Sequence, residues 1–249
     1  MSDLLWPVAL TGVGAILGSF LATIAIRWPA GGSALRGRSQ CDGCGAPIAA
    51  RDLVPLFSAL RLRGAARCCG ARIDPLHRQV EGASALAGLL AGIVASDITA
   101  LVIAAFGWML VLVAALDATE MWIPDPLVAV LGIAGVLASP VLPPPLADRL
   151  IGGAAGFGTL WLIGFGYLRL RGREGLGGAD PKLFGVIGLW LGWRLLPAVL
   201  LTAALVGLGV VAWRLASGRT VAGDDALPFG TYLAVAAYPA LLLMVHLAP

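Results

Sequence analysis

Residues 98–116 read ITALVIAAFGWMLVLVAAL, a run without one charged side chain, and the residue that ends it is Asp117. A helix of about 20 apolar residues crosses the roughly 30 Å hydrocarbon core of a bilayer. The run is therefore a membrane-spanning helix with a carboxylate at its end. Working outward, further apolar segments lie at 4–26, 83–96, 126–142, 150–168, 182–193, 195–213 and 228–247. Together they predict an all-α, polytopic membrane protein with about eight transmembrane helices. Helices satisfy their own backbone hydrogen bonds, which is what a lipid solvent demands.

The composition of the 249 residues points the same way, with 59% hydrophobic and only 12% charged. The mean hydropathy is +0.91. Soluble domains carry about a quarter charged residues, so a soluble cytosolic enzyme, a disordered chain and a collagen-like repeat are all excluded. The formal net charge of +3 does not call for a nucleic-acid partner, because the arginines gather between apolar segments, where they record orientation. The expected surrounding is the lipid bilayer.

Between residues 27 and 81 the composition changes, with Arg27, Arg36, Arg38, Arg51, Arg61, Arg63, Arg67, Arg72 and Arg78 alongside Cys41, Cys44, Cys68 and Cys69. Three regions follow: a first transmembrane helix (1–26), a small cysteine-containing loop module (27–81) and a helical body (82–249). No cleavage site precedes Arg27, so the first apolar run reads as a retained span. With eight spans, the module shares a side with Arg169, Arg171, Arg173, Lys182, Arg214 and Arg219, while the opposite loops hold Arg149 and Arg194. Positive-inside bias puts the module in the cytoplasm and both termini outside. Glycines spaced four apart, Gly14/Gly18, Gly152/Gly156 and Gly188/Gly192, suit close helix packing. Neither an internal repeat nor an inverted pair of broken helices is apparent.

Two carboxylates stand at cytoplasmic span ends, Asp117 and Asp180, where ionisable groups are costly and face a cavity or a partner. Asp180 follows Gly177-Gly178-Ala179 and precedes Pro181, the spelling of a helix N-cap with proline at N1. A helix start alone accounts for it as well as a function does. Asp117 has no such pattern, and at a helix C-terminus its charge opposes the macrodipole. Asp125, before Pro126, reads as a helix start. Two carboxylates in one site share a proton, so that one activates water while the other serves as acid. Helix-start amides favour Asp180 as the anion and leave Asp117 as the acid.

In a reducing compartment, Cys41-Asp42-Gly43-Cys44 followed by Cys68-Cys69 suggests tetrahedral zinc, with free or redox-active thiols as the alternative. His77 is a substitute ligand candidate. His246 reads as an interface residue.

The chain resembles the bacterial type IV prepilin peptidases, the bifunctional leader peptidase and N-methyltransferase family of GxGD-type aspartic proteases. The residues that carry this are Gly18-Ser19-Phe20-Leu21 with Arg27-Trp28-Pro29, Cys41-x-x-Cys44-Gly45, Cys69-Gly70-Ala71-Arg72-Ile73, and Val80-Glu81. Further on stand Asp117 six residues before Ile123-Pro124-Asp125, Arg173-Glu174-Gly175-Leu176-Gly177-Gly178-Ala179-Asp180-x-Lys182, and Leu227-Pro228-Phe229-Gly230. It departs from the family pattern at Ala22, Ala66, the offset Cys68, Ala179 and Pro181.

The resemblance implies an intramembrane aspartic endopeptidase at the cytoplasmic face of the bacterial inner membrane. It would cleave the basic leader of type IV prepilins or type II secretion pseudopilins after the leader's terminal glycine. Asp117 and Asp180 would be catalytic, and the 27–81 module would support S-adenosylmethionine-dependent methylation of the new N-terminus, with Asp52 and Glu81 at charged family positions. Competing readings are a transporter in which Asp117 and Asp180 relay protons or cations, and a scaffold protein with a zinc-clasped loop. The oligomeric state and the individual substrate are not legible.

Overall fold

A computed structural model describes residues 4–33, 39–41, 43–49, 52–56, 58, 61–220 and 225–248. Arg36, Arg38, Asp42 and Arg51 of the basic module lie outside the described residues. Eight α-helices are present among those described, in the order α1 Leu5–Arg27, α2 Pro75–Val94, α3 Asp97–Glu120, α4 Asp125–Leu137, α5 Leu146–Arg171, α6 Asp180–Leu191, α7 Leu196–Ala216 and α8 Phe229–His246. Each apolar segment of the sequence coincides with one helix. Five of the eight, α1, α3, α5, α7 and α8, are long and apolar enough to cross a membrane. The described residues hold no strand, only two isolated bridges. At 12 residues, α6 reaches only about 18 Å.

The second helix starts well before its apolar part. Asp74 is its N-cap, accepting from the Leu76 amide at 2.8 Å, and Pro75 follows at N1, where a missing N–H costs nothing. The first two turns carry His77, Arg78 and Glu81, so hydropathy alone hides them inside the loop module.

The chain forms two compact units, residues 1–115 and 116–249. In the first, α1 packs along α2 at glycines. A Cβ on Gly18 would lie 2.7 Å from the Glu81 Cα, and one on Gly14 would strike the Ser84 carbonyl. Only glycine permits this approach, and in lipid such packing substitutes for hydrophobic association.

The loop module between α1 and α2 contains two copies of one turn. Cys41 N donates to the Ala46 carbonyl, Gly45 N to that of Cys41 and Ile48 N to that of Ser39. Ala66 N, Gly70 N and Ile73 N repeat this with the carbonyls of Ala71, Ala66 and Gly64. The bridges Gln40–Pro47 and Ala65–Arg72 close the two copies. This short repeat corrects the expectation of none.

In the second unit α6 is the core helix. It touches α4, α5, α7 and α8, and buries Leu183, Phe184, Ile187 and Trp190. Its closest neighbour is α5, through Gly152 and Gly156, where added Cβ atoms would meet the carbonyls of Gly188 at 2.5 Å and Phe184 at 2.7 Å. The Trp190 indole donates to the Leu131 carbonyl on α4 at 2.9 Å.

Arg149 is not a loop charge. It lies in the first turn of α5, fully buried, and all five of its N–H groups are directed at carbonyls: Pro144, Gly135, Leu189, Leu142 and Pro143, at 2.8 to 3.0 Å. One side chain thus ties together the end of α4, the connection to α5 and the far end of α6.

Candidate active site

Asp117 sits in the last turn of α3 and is 5% exposed. Its Oδ2 accepts from the Thr231 amide at 2.6 Å and from the Thr231 hydroxyl at 3.0 Å. Thr231 belongs to the first turn of α8, whose leading N–H groups have no intrahelical acceptors. The charge that looked unfavourable at the end of its own helix is thus placed on the start of another, where the dipole favours an anion. Gly230 makes room for it: a Cβ there would lie 3.1 Å from the Asp117 carboxyl carbon and 2.6 Å from Ile123 Cδ1.

Asp180 is 7% exposed and is the first residue of α6, with Ala179 as N-cap. Its carboxylate does not cap its own helix, contrary to the expectation from the Asp-Pro spelling. It turns back to accept from the Gly177 amide at 3.1 Å, and a Cβ on Gly177 would lie 3.0 Å from its Oδ2. Both carboxylates lie in the second compact unit. Asp117 receives two donors and Asp180 one, the reverse of what the helix-start argument suggested.

Asp125 begins α4 and is exposed; its Oδ1 accepts from Lys182 Nζ at 2.7 Å. It pairs with the helix that carries Asp180 instead of joining the two aspartates. Thr231 went unnoticed in the sequence, where a threonine in an apolar run looks like packing. The signal was its place directly after Leu227-Pro228-Phe229-Gly230, at a helix start.

In the first unit a cavity of about 790 Å³ is lined by Thr23, Asp52, Arg67, Arg72, His77 and Glu81, among others. Asp52 holds Arg67 in a two-pronged pair at 2.8 to 3.1 Å. Glu81 is buried and accepts from the Leu56 amide, a backbone donor, at 2.8 Å.

The four cysteines converge, with every Sγ within 4.8 Å of the others. Cys41 and Cys69 are 3.6 Å apart, Cys44 and Cys68 3.3 Å, Cys68 and Cys69 3.9 Å. Zinc–thiolate bonds of about 2.3 Å in a tetrahedron put sulfurs about 3.8 Å apart, so the thiols fit such an ion. The Cys41 thiol, facing the backbone amides of Gly43 and Cys44, is held down at about 7, toward the thiolate that binds metal. Contact with the Cys44 thiol pushes Cys68 up to about 12. His77 is in the cavity wall and outside the thiol cluster, while His246 is exposed in the last turn of α8.

Residues 103–212 match the family model described as "Type IV leader peptidase family", and residues 13–95 match "Bacterial Peptidase A24 N-terminal domain". A protein of Dickeya chrysanthemi named prepilin leader peptidase/N-methyltransferase is 34% identical, the alignment covering 96% of this chain and 93% of that one. The chain belongs to the type IV leader peptidase family. Proteins of the same name from Klebsiella pneumoniae, 36% identical over 80% of this chain and 91% of theirs, and Aeromonas hydrophila, 37% identical over 82% and 71%, agree. No solved structure matches the chain. The leader peptidase match contains both Asp117 and Asp180, and the N-terminal domain match contains all four cysteines, Asp52 and Glu81. Thr231 lies beyond both matches.

Proposed function

We propose that this chain is an aspartic endopeptidase that removes the basic leader of type IV prepilins or type II secretion pseudopilins, with Asp117 and Asp180 as its catalytic pair. The reading rests on one observation above all: two buried carboxylates, from separate helices of one compact unit, each accepting from a backbone amide. Asp117, with two donors on one oxygen, is the ground-state anion that orients and deprotonates water. Asp180, with one donor, carries the shared proton and delivers it to the leaving amine. The pair titrates as a unit. Hydrolysis calls for no metal.

The site faces the cytoplasm of the bacterial inner membrane, a placement supported by the clustering of basic residues with the cysteine module. The module (27–81) precedes the peptidase body (82–249). It holds one zinc ion through Cys41, Cys44 and Cys69, with Cys68, His77 or water completing the tetrahedron, an ion that clasps two turns of chain. The cavity beside it, of ordinary small-molecule size, takes S-adenosylmethionine for methylation of the new N-terminus, in keeping with the names of the relatives. Those relatives are named for peptidase and methyltransferase activity and not for transport, which leaves the proton- or cation-relay alternative without support.

The test is in vitro cleavage of a synthetic prepilin by detergent-solubilised protein, read by mass spectrometry. Wild type removes the leader, while Asp117→Asn and Asp180→Asn, inserted and folded, do not. Full cleavage by either variant overturns the assignment.

A further inference from the structure

The two turns of the loop module match residue for residue at a constant offset: Ser39 with Gly64, Cys41 with Ala66, Gly43 with Cys68, Cys44 with Cys69, Gly45 with Gly70 and Ile48 with Ile73. The backbone hydrogen bonds repeat at 2.7 to 2.8 Å in both copies, and Gly45 and Gly70 share a left-handed φ of 70° and 71°. In the first copy the thiols come from the second and fifth of the six positions from Gln40 to Gly45, Cys41 and Cys44. In the second copy the fifth is Cys69, but the second is Ala66, which has no ligand atom.

The repeat also predicts what a ligand at position 66 would touch. Cys41 Sγ contacts Cys69 Sγ at 3.6 Å, so the mirrored thiol at 66 would contact Cys44. That contact is made instead by Cys68, whose Sγ is 3.3 Å from Cys44 Sγ. The residue matching Cys68 explains why this works. A Cβ on Gly43 would lie 3.3 Å from Cys69 Sγ and 3.9 Å from Cys41 Sγ, so the fourth position of such a turn looks into the thiol cluster. A cysteine there reaches the centre from inside the turn.

We propose that Cys68 is the fourth ligand of the module's metal ion, standing in for the side chain that Ala66 lacks, so that positions 66 and 68 are interchangeable sources of one thiolate. This rests on the metal-binding reading above. Neither His77 nor water then completes the tetrahedron. Binding replaces the thiol protons by metal–sulfur bonds and releases them to solvent, and no oxidant is involved.

Full-length protein in detergent, reduced and titrated with zinc or cobalt(II), provides the test. Wild type takes up about one metal per chain, and its thiolate-to-cobalt charge-transfer band reflects four sulfurs. Cys68→Ser loses about a quarter of that band, one sulfur in four. It also binds zinc more than about 100-fold less tightly, exceeding the usual loss on removing a group behind a ligand. The double variant Ala66→Cys with Cys68→Ser recovers band and affinity, which a merely misfolded single variant could not do. Wild-type band and affinity in Cys68→Ser overturn the assignment of Cys68. A double variant that stays at the single variant's level overturns the equivalence of the two positions. A wild type that binds no metal overturns the metal reading itself, a different outcome from either.

Discussion

The Thr231 amide and hydroxyl both donate to one oxygen of Asp117, at 2.6 and 3.0 Å, across 114 positions of sequence. The amide is supplied by the helix start and survives any substitution but proline. The hydroxyl belongs to the side chain and is separable. Thr231→Val preserves shape and removes only the hydroxyl donor. A hydrogen bond to a charged group contributes about 1.5 kcal/mol or more, so cleavage by this variant should slow about tenfold, with serine restoring most of the rate. Prepilin turnover measured for Val and Ser variants side by side decides it. An unchanged rate in the valine variant would mean that the hydroxyl does not matter to the anion.

The loop before α6 offers a sharper contrast, because two adjacent glycines have different surroundings. A Cβ on Gly177 lies 3.0 Å from Asp180 Oδ2, whereas one on Gly178 meets nothing within 4 Å. Gly177→Ala pushes the carboxylate by a few tenths of an ångström against the amide from which it accepts, and should slow cleavage up to about tenfold, the scale of one charge-assisted hydrogen bond. Gly178→Ala should cleave at close to the wild-type rate. Equal rates for the two variants would show that the position of Asp180 against Gly177 is not the active one.

Asp125 provides the control among the acidic residues. Its pair with Lys182 is exposed at both ends, and exposed ion pairs contribute at most about 1 kcal/mol. Asp125→Asn should therefore keep most of the activity that Asp117→Asn and Asp180→Asn abolish. Kinetics of the three variants at matched expression test this. A dead Asp125→Asn would bring the Asp125–Lys182 pair into the reaction.

Much of this was legible in the sequence, for reasons that also mark where it stopped. Runs such as 98–116 announce helices because lipid leaves no other structure for them, and a carboxylate at the end of such a run stands out. The pairing of Asp117 with the start of α8 could not be read, since a helix dipole acts on what lies in front of it in space and the partner is far away in sequence. Asp180 looked like a cap because Asp-Pro usually is one, yet the glycines before it supply a nearer amide. Arg149 was counted among loop charges because an arginine near a span end normally faces water. What reverses that is a ring of five carbonyls contributed by two helices and a connection. The second turn of the cysteine module was hidden by Ala66, which breaks the motif in the alphabet without breaking it in the backbone.

That ring makes Arg149 a stability determinant of the second unit. Lysine offers three donors where arginine offers five, so at least two carbonyls lose their partner in Arg149→Lys. At about 1–3 kcal/mol for each buried group left unsatisfied, the variant should lose about 2–6 kcal/mol, and Arg149→Met more. Thermal unfolding in detergent, followed by far-UV circular dichroism, reads the change. A methionine variant that melts with the wild type would show that the five hydrogen bonds merely offset the cost of burying the guanidinium.

Peptidase and methyltransferase functions should separate by region, because the aspartates and the cysteine module lie in different compact units. Glu81 sits in the cavity wall of the first unit with its carboxylate on the Leu56 amide. Glu81→Gln keeps an oxygen for that amide and removes only the charge. Cys41→Ser removes a thiolate from the cluster and loosens one of its two turns. Both variants, and wild type treated with a strong chelator, should lose methylation of the mature pilin N-terminus to a greater extent than they lose leader cleavage. Chelation should also open all four thiols to alkylation. Mass spectrometry of pilin product formed with S-adenosylmethionine reads both reactions in one sample, as loss of the leader and gain of the methyl mass. Cleavage and methylation falling in parallel across all three would show that the module supports the fold of the whole enzyme and has no separate chemistry. Wild type that cleaves without ever adding the methyl mass would point instead to Ala22, fully buried in α1, and Ala66, two of the departures from the family pattern, as the first positions to restore.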